Sequence, residues 1–511
     1  MYHIYIACGI CLLGAWWYHY LTKNYGYWEK KCVPCLKGAV PGFGHFFSMY
    51  LMRKNVFQLG EEFYNKIPGR SMVGLYNAGD PTLLVRDPEL VKAVLQTSFA
   101  SFNSNGIQLD PQLDRLGAKN PFFLVGDEWK SSRQLLSSAY TLGKLKYIYE
   151  SINVVCASFV KYLNNKVNQG NGEFEIEMKD LYSKFTAEVA ASSAFGVEGH
   201  SFSDDEDGTF TKIGKTIFEP TIVKGIKTTL ILFAPLVAKI LKARFMPLQI
   251  QQLLVKLVKD MIKYRADHNV QRKDSLQLMI DLKKSGTIDP STGREYDDET
   301  IIGHVTTFFI EGYETSSVTL SFFAHLLASH PEIQERVRQE VLTVAEKHNG
   351  ITYEALQEMT YLEQALYESM RIYPAAGTLF KVCTRKIELQ GSDGITCEVE
   401  PGTSVMISLA GLQKDPEYWP DPEKFDPDRF SEDNKQRRHK FLYIPFGGGP
   451  RACIGMRMAM LQIKAAIATT LGNFTLQVSP KTQLPIKLNP FYFMAAAKGG
   501  LWVKIKQIKP L

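Results

Sequence analysis

Phe446-Gly447-Gly448-Gly449-Pro450-Arg451-Ala452-Cys453-Ile454-Gly455 is the stretch that decides how this chain is read. One cysteine stands among turn formers, with a cation and an aromatic nearby, and a segment with helical spacing, Met456 to Leu471, follows it. A chain built this way presents a single thiolate to a large flat metal cofactor and keeps other ligands away. A thiolate needs a lowered pKa, from nearby positive charge, a helix N-terminus or the metal itself. Arg451 supplies charge, and the following helix directs the positive end of its dipole at the sulfur. A phosphate-cradling loop is excluded, because no Lys-Ser/Thr follows the glycines. A buried structural cysteine beside a glycine turn is the remaining reading of the cysteine alone.

The 511 residues are 45% hydrophobic and 22% charged, ordinary for a globular protein with a large core. A length prior of roughly 150 residues allows about three domains, but nothing reads as a linker between folded halves. A net charge of +6 is too mild to argue for nucleic acid. The eight cysteines (8, 11, 32, 35, 156, 383, 397 and 453) are too thinly spread for a disulfide framework.

Residues 1–22 contain no Asp, Glu, Lys or Arg. Tyr2 to Leu21 comes close to the roughly 20 apolar residues that a membrane-spanning helix needs, and Lys23, Lys30, Lys31 and Lys37 follow it. The positive-inside rule then places the body in the cytosol. A cleaved signal peptide is the rival, but it calls for a basic start and a small-residue cleavage site. The expected division is an anchor over 1–22, a basic Pro/Gly-rich elbow over 23–45, and one catalytic domain over 46–511. Within the elbow, Cys32-Val-Pro-Cys35 lacks a second ligand pair for zinc, and two reduced cysteines near a membrane surface is the better account. The topology predicts that the sequon Asn473-Phe474-Thr475 stays unglycosylated; a glycan found there by mass spectrometry overturns it.

Short apolar runs between turns predict a small sheet over 70–96 and a second strand region over 379–407. Helical periodicity predicts helices over 145–168, 178–195, 247–268, 297–329, 331–347 and 361–371. Residues 408–446 read as ordered coil and the tail from 473 as β-hairpins. The sum is an α+β fold, mostly α-helical, with a β-rich side region and an N-terminal transmembrane helix.

The helix over 297–329 opens on Asp297, Asp298 and Glu299, suited to its dipole. Its middle reads Phe308-Phe309-Ile310-Glu311-Gly312-Tyr313-Glu314-Thr315-Ser316-Ser317. A buried carboxylate costs several kcal/mol unless it is satisfied. Thr and Ser loosen a helix by bonding back to its carbonyls, and Gly312 allows close approach to the backbone. Elsewhere Trp129-Lys-Ser-Ser-Arg133 puts a tryptophan and an arginine on one helix face. Glu368-Ser-Met-Arg371 pairs an acid and a base at i and i+3 before Ile372-Tyr373-Pro374, where a helix must end. Glu335-Arg-Val-Arg338 repeats that spacing in a charged, exposed-looking helix.

The pattern F-x-x-G-x-x-x-C-x-G, with W-x-x-x-R, the notched helix, ExxR and Arg429, all in this order, resembles the cytochrome P450 family over nearly the whole chain. The details resemble insect members that process xenobiotics. The resemblance implies a cytochrome P450 fold and a heme held by the axial thiolate of Cys453. Phe446 would pack on the sulfur side, Gly449 and Gly455 would permit close backbone approach, and Arg451, Trp129 and Arg133 would meet the heme propionates. Lys381 stands where many relatives carry a propionate-binding arginine; it keeps the charge and loses the bidentate geometry. Thr315 would hold a water on the oxygen-binding side and Glu314 would relay protons inward, while the thiolate supplies electronic push. Glu311 replaces the family's usual small residue. In one branch of the family a Glu here forms an ester with a heme methyl, so a covalent or close heme contact stands beside a simple polar pocket. Glu368, Arg371 and Arg429 would form a buried charge network.

Phe102, Ile107, Phe122, Phe123, Phe308, Ala375, Thr378 and Phe491 are the candidate pocket residues, a lining that suits a lipophilic small molecule. The apolar run from Leu230 to Leu241, with Lys239 and Lys242, suits a membrane surface. No flavin or nicotinamide fingerprint is present, so electrons would come from NADPH through a separate flavoprotein reductase, as in microsomal relatives. Lys435, Arg437, Arg438, His439 and Lys440 would steer it. The expected activity is a heme monooxygenase at the endoplasmic reticulum membrane. A reductase-independent isomerase or dehydratase, which Thr315 argues against, and a non-catalytic heme sensor are the alternatives.

Overall fold

A computed structural model describes residues 2–203 and 208–508. The N-terminal helix, Tyr2–Thr22, buries none of its residues. Its mean hydropathy and length are enough to cross a membrane. The elbow that follows is sewn into the body. Trp28 is completely buried, and its indole Nε1 donates to the Leu75 carbonyl at 2.8 Å. Gly74 makes this possible, since a Cβ there would lie 2.3 Å from the Trp28 ring. The Leu36 N–H donates to the Gly74 carbonyl at 3.0 Å. Tyr27–Lys30 is a single helical turn within a stretch that composition marks as non-helical.

The main sheet has four strands. Met72–Asn77 and Asp80–Val85 form a hairpin, Ser404–Ser408 runs parallel to the second of these, and Thr378–Val382 closes the edge. Residues 88–97, expected within this sheet, are instead helical, because Asp87 caps the Glu89 N–H and Pro88 starts the helix. The expected C-terminal hairpins reduce to Phe474–Val478 paired with Trp502–Gln507, and Glu173–Glu177 adds a third strand.

Helices make up the rest. Leu142–Gln169, Met178–Ala190, Leu248–Asp267, Asp298–Ser329, Pro331–Lys347 and Thr360–Ile372 lie where periodicity predicts them, within a few residues. Composition passed over Val56–Lys66, although Asn55 and Gln58 form a complete capping box at its start. The segment expected as coil over 408–446 holds several short helical turns. Asp298–Ser329, hereafter the central helix, runs through the middle of the largest apolar cluster and is buried along most of its length. Met456–Asn473, the helix after the cysteine loop, packs beside it.

Candidate active site

The cysteine loop is closed by its own backbone: the Cys453 N–H donates to the Phe446 carbonyl at 2.8 Å. Gly449 has φ +66, and a Cβ there would lie 1.8 Å from the Leu95 carbonyl oxygen, so only glycine fits. Gly455 is different. Its nearest would-be neighbour is the Tyr140 hydroxyl at 3.8 Å, so packing against the protein does not demand glycine there. The Phe446 ring is half-buried and lines an outer groove with Tyr443 and Met456.

The sulfur keeps accessible surface although protein atoms crowd it. A group that is deep and accessible at once faces an internal cavity. Burial pushes the Cys453 thiol up to about 11, and Glu311 pushes the same way. The N–H groups of Gly455 and Met456 and the Arg133 guanidinium oppose this. The helix start does aim at the sulfur, but the protein alone leaves a neutral thiol; a bound cation would have to displace its proton. Arg133 is the cation the sulfur feels, not Arg451 as the sequence suggests. Arg451 donates to the carbonyls of Asn103, Pro121 and Leu124 at 2.6, 3.2 and 2.8 Å and stacks on Trp129.

The central helix meets this cavity at its notch. Glu311 is accessible and, like Cys453, hemmed in by protein, and burial raises its pKa. Tyr140 stands between the two elements: its hydroxyl is 3.8 Å from where a Gly455 Cβ would be, and it lines a small cavity with Phe308 and Gly312 of the central helix. The Glu311 Oε1 accepts from Asn120 Nδ2 at 2.7 Å, and Asn120 Oδ1 accepts the Phe122 N–H at 2.8 Å. The second bond fixes which end of the amide faces the carboxylate. The carbonyls of residues 311, 312, 313 and 314 accept Thr315 Oγ1, Gln462 Nε2, Thr186 Oγ1 and Ser317 Oγ at 2.6, 3.2, 2.9 and 3.0 Å. Side chains thus claim four successive carbonyls, yet the helix expected to loosen here stays regular through the notch.

Glu314 and Thr315 are neighbours in sequence and diverge in space. Thr315 is half-open and bonds back to Glu311. Glu314 is 2% exposed. Its Oε2 takes Lys179 Nζ at 2.9 Å and its Oε1 takes the Tyr492 hydroxyl. Lys179, Asn120 and Tyr140 are absent from the sequence-based candidates, and no local motif marks any of them.

Three cations border the site. Arg133 donates to the Ala452 carbonyl at 2.6 Å and Lys381 to Asn105 Oδ1 at 2.6 Å. Arg451 and Arg133 repel each other, as do Lys381 and Arg451, so the three lie close together. Burial first, and Arg451 second, lower Lys381 from 10.5 to about 7. None of the three forms an ion pair with an acid among the described residues. One thiol over a cavity, beside clustered cations that lack anions, fits an iron porphyrin with two carboxylates. The sign of the Lys381 effect is testable. A lysine with a depressed pKa destabilises the heme-free fold increasingly as pH falls from 10.5 towards 7. Lys381→Met should therefore raise the melting midpoint of heme-free protein at pH 7, flatten its rise with pH above 7, and speed heme loss.

Glu368, Arg371 and Arg429 come together as the resemblance implies. Glu368 and Arg371 are both 0% exposed with Nε to Oε2 at 2.6 Å, and Arg429 Nε lies 3.4 Å from Glu368 Oε1. The pocket candidates divide. Phe102 is fully buried in core and lines nothing. Phe308 is buried against the Tyr140 ring at 5.5 Å. Phe122 is 47% exposed and stacks edge-on with Phe123, which meets Phe245 at 6.1 Å. Ile107, Ala375, Thr378 and Phe491 are half-buried.

The sequence matches the family described as Cytochrome P450 over residues 34–503. Cytochrome P450 6k1 of Blattella germanica is 32% identical over 500 residues, covering 95% of this chain and 93% of that protein. Cytochrome P450 9e2 of the same organism is 31% identical over 522 residues, covering 97% and 95%. Cytochrome P450 6a2 of Drosophila melanogaster is 31% identical over 513 residues, covering 99% of each. A thiol-bearing loop facing a cavity, a notched helix across it, and relatives of this length and similarity agree: the chain belongs to the cytochrome P450 family and is a heme monooxygenase.

Proposed function

We propose that this monooxygenase inserts one oxygen atom from dioxygen into a lipophilic small molecule, with electrons from NADPH delivered by a separate flavoprotein reductase. The observation that carries the reading is that Cys453, Glu311 and Thr315 all keep accessible surface while Tyr140 bridges their two elements, its hydroxyl 3.8 Å from where a Gly455 Cβ would be and its ring edge-on to Phe308 of the central helix. Heme, when bound, would supply the oxygen-activating iron. Of the chain's own residues, Cys453 holds the metal, Arg133, Arg451 and Lys381 hold the propionates, and Thr315 orders water. Aromatic residues carried on several loops give the substrate an apolar bed.

A groove of about 760 Å³ lies on the outer side of the cysteine loop, lined in part by Phe446, Gly447, Met456, Arg457 and Lys440. Its wall includes Phe446 and Gly447 of the cysteine loop, which suits it to the reductase. Arg438 also lines the groove, but its guanidinium is engaged, stacking on Trp419 and Phe430 and donating to the Arg429 carbonyl. His439 pairs with Glu89 at 2.9 Å. Arg437, Lys440 and Arg457 remain exposed for steering.

Membrane attachment at the endoplasmic reticulum, with the body cytosolic, extends the same reading. Ile222, Val223, Leu236, Ile240 and Leu241 are 54%, 61%, 79%, 79% and 63% exposed. Their helices end at Phe233 and Ile240, and the Phe233 carbonyl accepts from Tyr50 and Asn77, beside the elbow. These bonds tie the end of the apolar segment to the sheet next to the elbow, which supports a membrane-facing role for it.

The deciding experiment is a carbon monoxide difference spectrum of the reduced protein, followed by substrate-dependent NADPH consumption with purified reductase. A thiolate-type band with no consumption for any lipophilic substrate would shift the reading to an isomerase or sensor. For Glu311, we propose contact with the heme edge and an ester to a heme methyl, which would form only during turnover: the methyl loses a C–H proton and two electrons to dioxygen activated with NADPH-derived electrons, and its carbon bonds the carboxylate oxygen. Acid and solvent extraction should then leave heme on wild-type protein and release it fully from Glu311→Ala. Complete release from both rules out the ester.

A further inference from the structure

Among the described residues, the acid of the notch is held by a residue, Tyr492, to which the catalytic reading gives no task. Tyr492 is 5% exposed, and its hydroxyl donates to Glu314 Oε1 across 178 positions of sequence. It sits in a turn, residues 489–497, that touches several cavity walls at once. Within that turn the Phe491 backbone lies 2.9 Å from where a Gly225 Cβ would be. The Phe493 ring meets Phe245 at 6.3 Å, and the Ala495 N–H donates to the Ala375 carbonyl at 3.1 Å. Asn489 Oδ1 accepts the Phe491 N–H at 2.9 Å, which stiffens the turn before Tyr492.

The other Glu314 oxygen is equally committed. Lys179 Nζ lies 2.9 Å from Oε2, donates also to Ser183 Oγ at 2.9 Å, and stands over the Tyr313 ring at 5.5 Å. Lys179 keeps 28% of its side chain exposed, against 2% for Glu314, so the acid has a link to solvent but not to the cavity. The titratable groups facing Glu314 are Lys179, Tyr313 and Tyr492, with Glu177 beyond Lys179. An acid that is to pass protons to Thr315 has to leave both partners or share protons through them. Lys179 rides on a long flexible stem and can follow; Tyr492 is fixed by a packed turn and cannot.

We propose that Tyr492 is a positioning residue: its phenol latches Glu314 away from the cavity, so that movement of the 489–497 wall sets how readily the acid serves Thr315. The proposal rests on the monooxygenase reading and deepens it. Tyr492→Phe keeps the ring and removes the latch.

The test uses full-length, heme-loaded protein. Carbodiimide-driven labelling of Glu314 with a small amine, read by mass spectrometry, should be slow in wild type and several-fold faster in Tyr492→Phe. With reductase and NADPH, the variant should show a smaller solvent deuterium isotope effect and less hydrogen peroxide per NADPH. In a Glu314→Gln background the same substitution should change neither quantity, a non-additivity that general loosening would not produce. Equal labelling in wild type and variant overturns the latch. So does an isotope effect that Tyr492→Phe shifts equally with and without Glu314. Should Tyr492→Phe fail to retain heme, Glu314→Gln reads the latch from the other side. Amide exchange of residues 489–497 should then rise several-fold, and unchanged exchange overturns the proposal. Absence of NADPH consumption in wild type would sink the monooxygenase reading, whereas the labelling comparison would still decide the latch.

Discussion

Cys453→Ser is expected to abolish both the reduced carbon monoxide band and oxidative turnover, while the fold survives. The survival follows from how the loop is built. Its geometry comes from the bond between the Cys453 N–H and the Phe446 carbonyl and from Gly449 lying against Leu95, and neither involves the sulfur. Serine is smaller and keeps a hydrogen-bonding tip, so the melting midpoint of heme-free protein should hardly move. What disappears is the soft anionic ligand. Burial already pushes the thiol to about 11, so only a bound cation makes it a thiolate at neutral pH. A serine hydroxyl is a far weaker acid, and the two backbone N–H groups and Arg133 that assist the sulfur cannot ionise it. The measurement is a paired one: carbon monoxide difference spectrum and melting curve on the same preparation. Retention of the wild-type band by the serine variant would remove the foundation of the site.

The cysteine loop, the notched helix and the ExxR pair are legible in the sequence because each is a local pattern. The residues that carry it are within about ten positions, and secondary structure places them without help from the rest of the chain. The long helices are legible for the same reason. Trp28 shows where that reasoning stops: its burial depends on Gly74 and Leu75, which the turn-rich composition of the elbow does not announce. Asn120 illustrates the limit inside the site, since nothing near it in sequence says that it holds a carboxylate 191 positions away. Glu314 is the sharpest case. The motif identifies the residue, but its direction is set by Lys179 and Tyr492, which lie 135 and 178 positions from it. The helix Val56–Lys66 is a different kind of omission, because Asn55-Val-Phe-Gln58 is a readable capping signal.

Glu368→Ala is expected to yield protein that retains no heme, with a fold weakened by about 3–5 kcal/mol, because it strands a buried guanidinium. The acid is fully occupied. It accepts both arms of Arg371 at 2.6 and 2.9 Å, the Asp426 N–H at 3.1 Å, and has Arg429 Nε at 3.4 Å. Burial holds its pKa above the usual range while Arg371 opposes the shift. Replacing such a pair with apolar residues is often harmless elsewhere, but here Arg371 also donates to the carbonyls of Gln413, Pro422 and Lys424 at 2.9, 2.6 and 3.3 Å. Removing Arg371 would leave those carbonyls bare, and removing Glu368 leaves them with a guanidinium whose charge has lost its carboxylate. The damage then reaches the heme ligand through a continuous path. Gln413 donates to the Met370 and Arg371 carbonyls and accepts the Ile444 N–H at 3.2 Å, and Ile444 leads directly into the loop that carries Cys453. The Tyr443 hydroxyl donates to the Tyr367 carbonyl at 2.9 Å and runs parallel to that path. The second ExxR provides the control. Glu335 pairs with Arg338 at 2.7 Å, but Glu335 keeps 49% of its side chain exposed. Glu335→Ala should therefore cost no more than about 0.5 kcal/mol and leave heme content unchanged. Denaturant titration and heme quantification on the two variants, side by side, separate a motif that supports the site from one that only shares its spacing. Equal losses in both would mean that burial is not what distinguishes them.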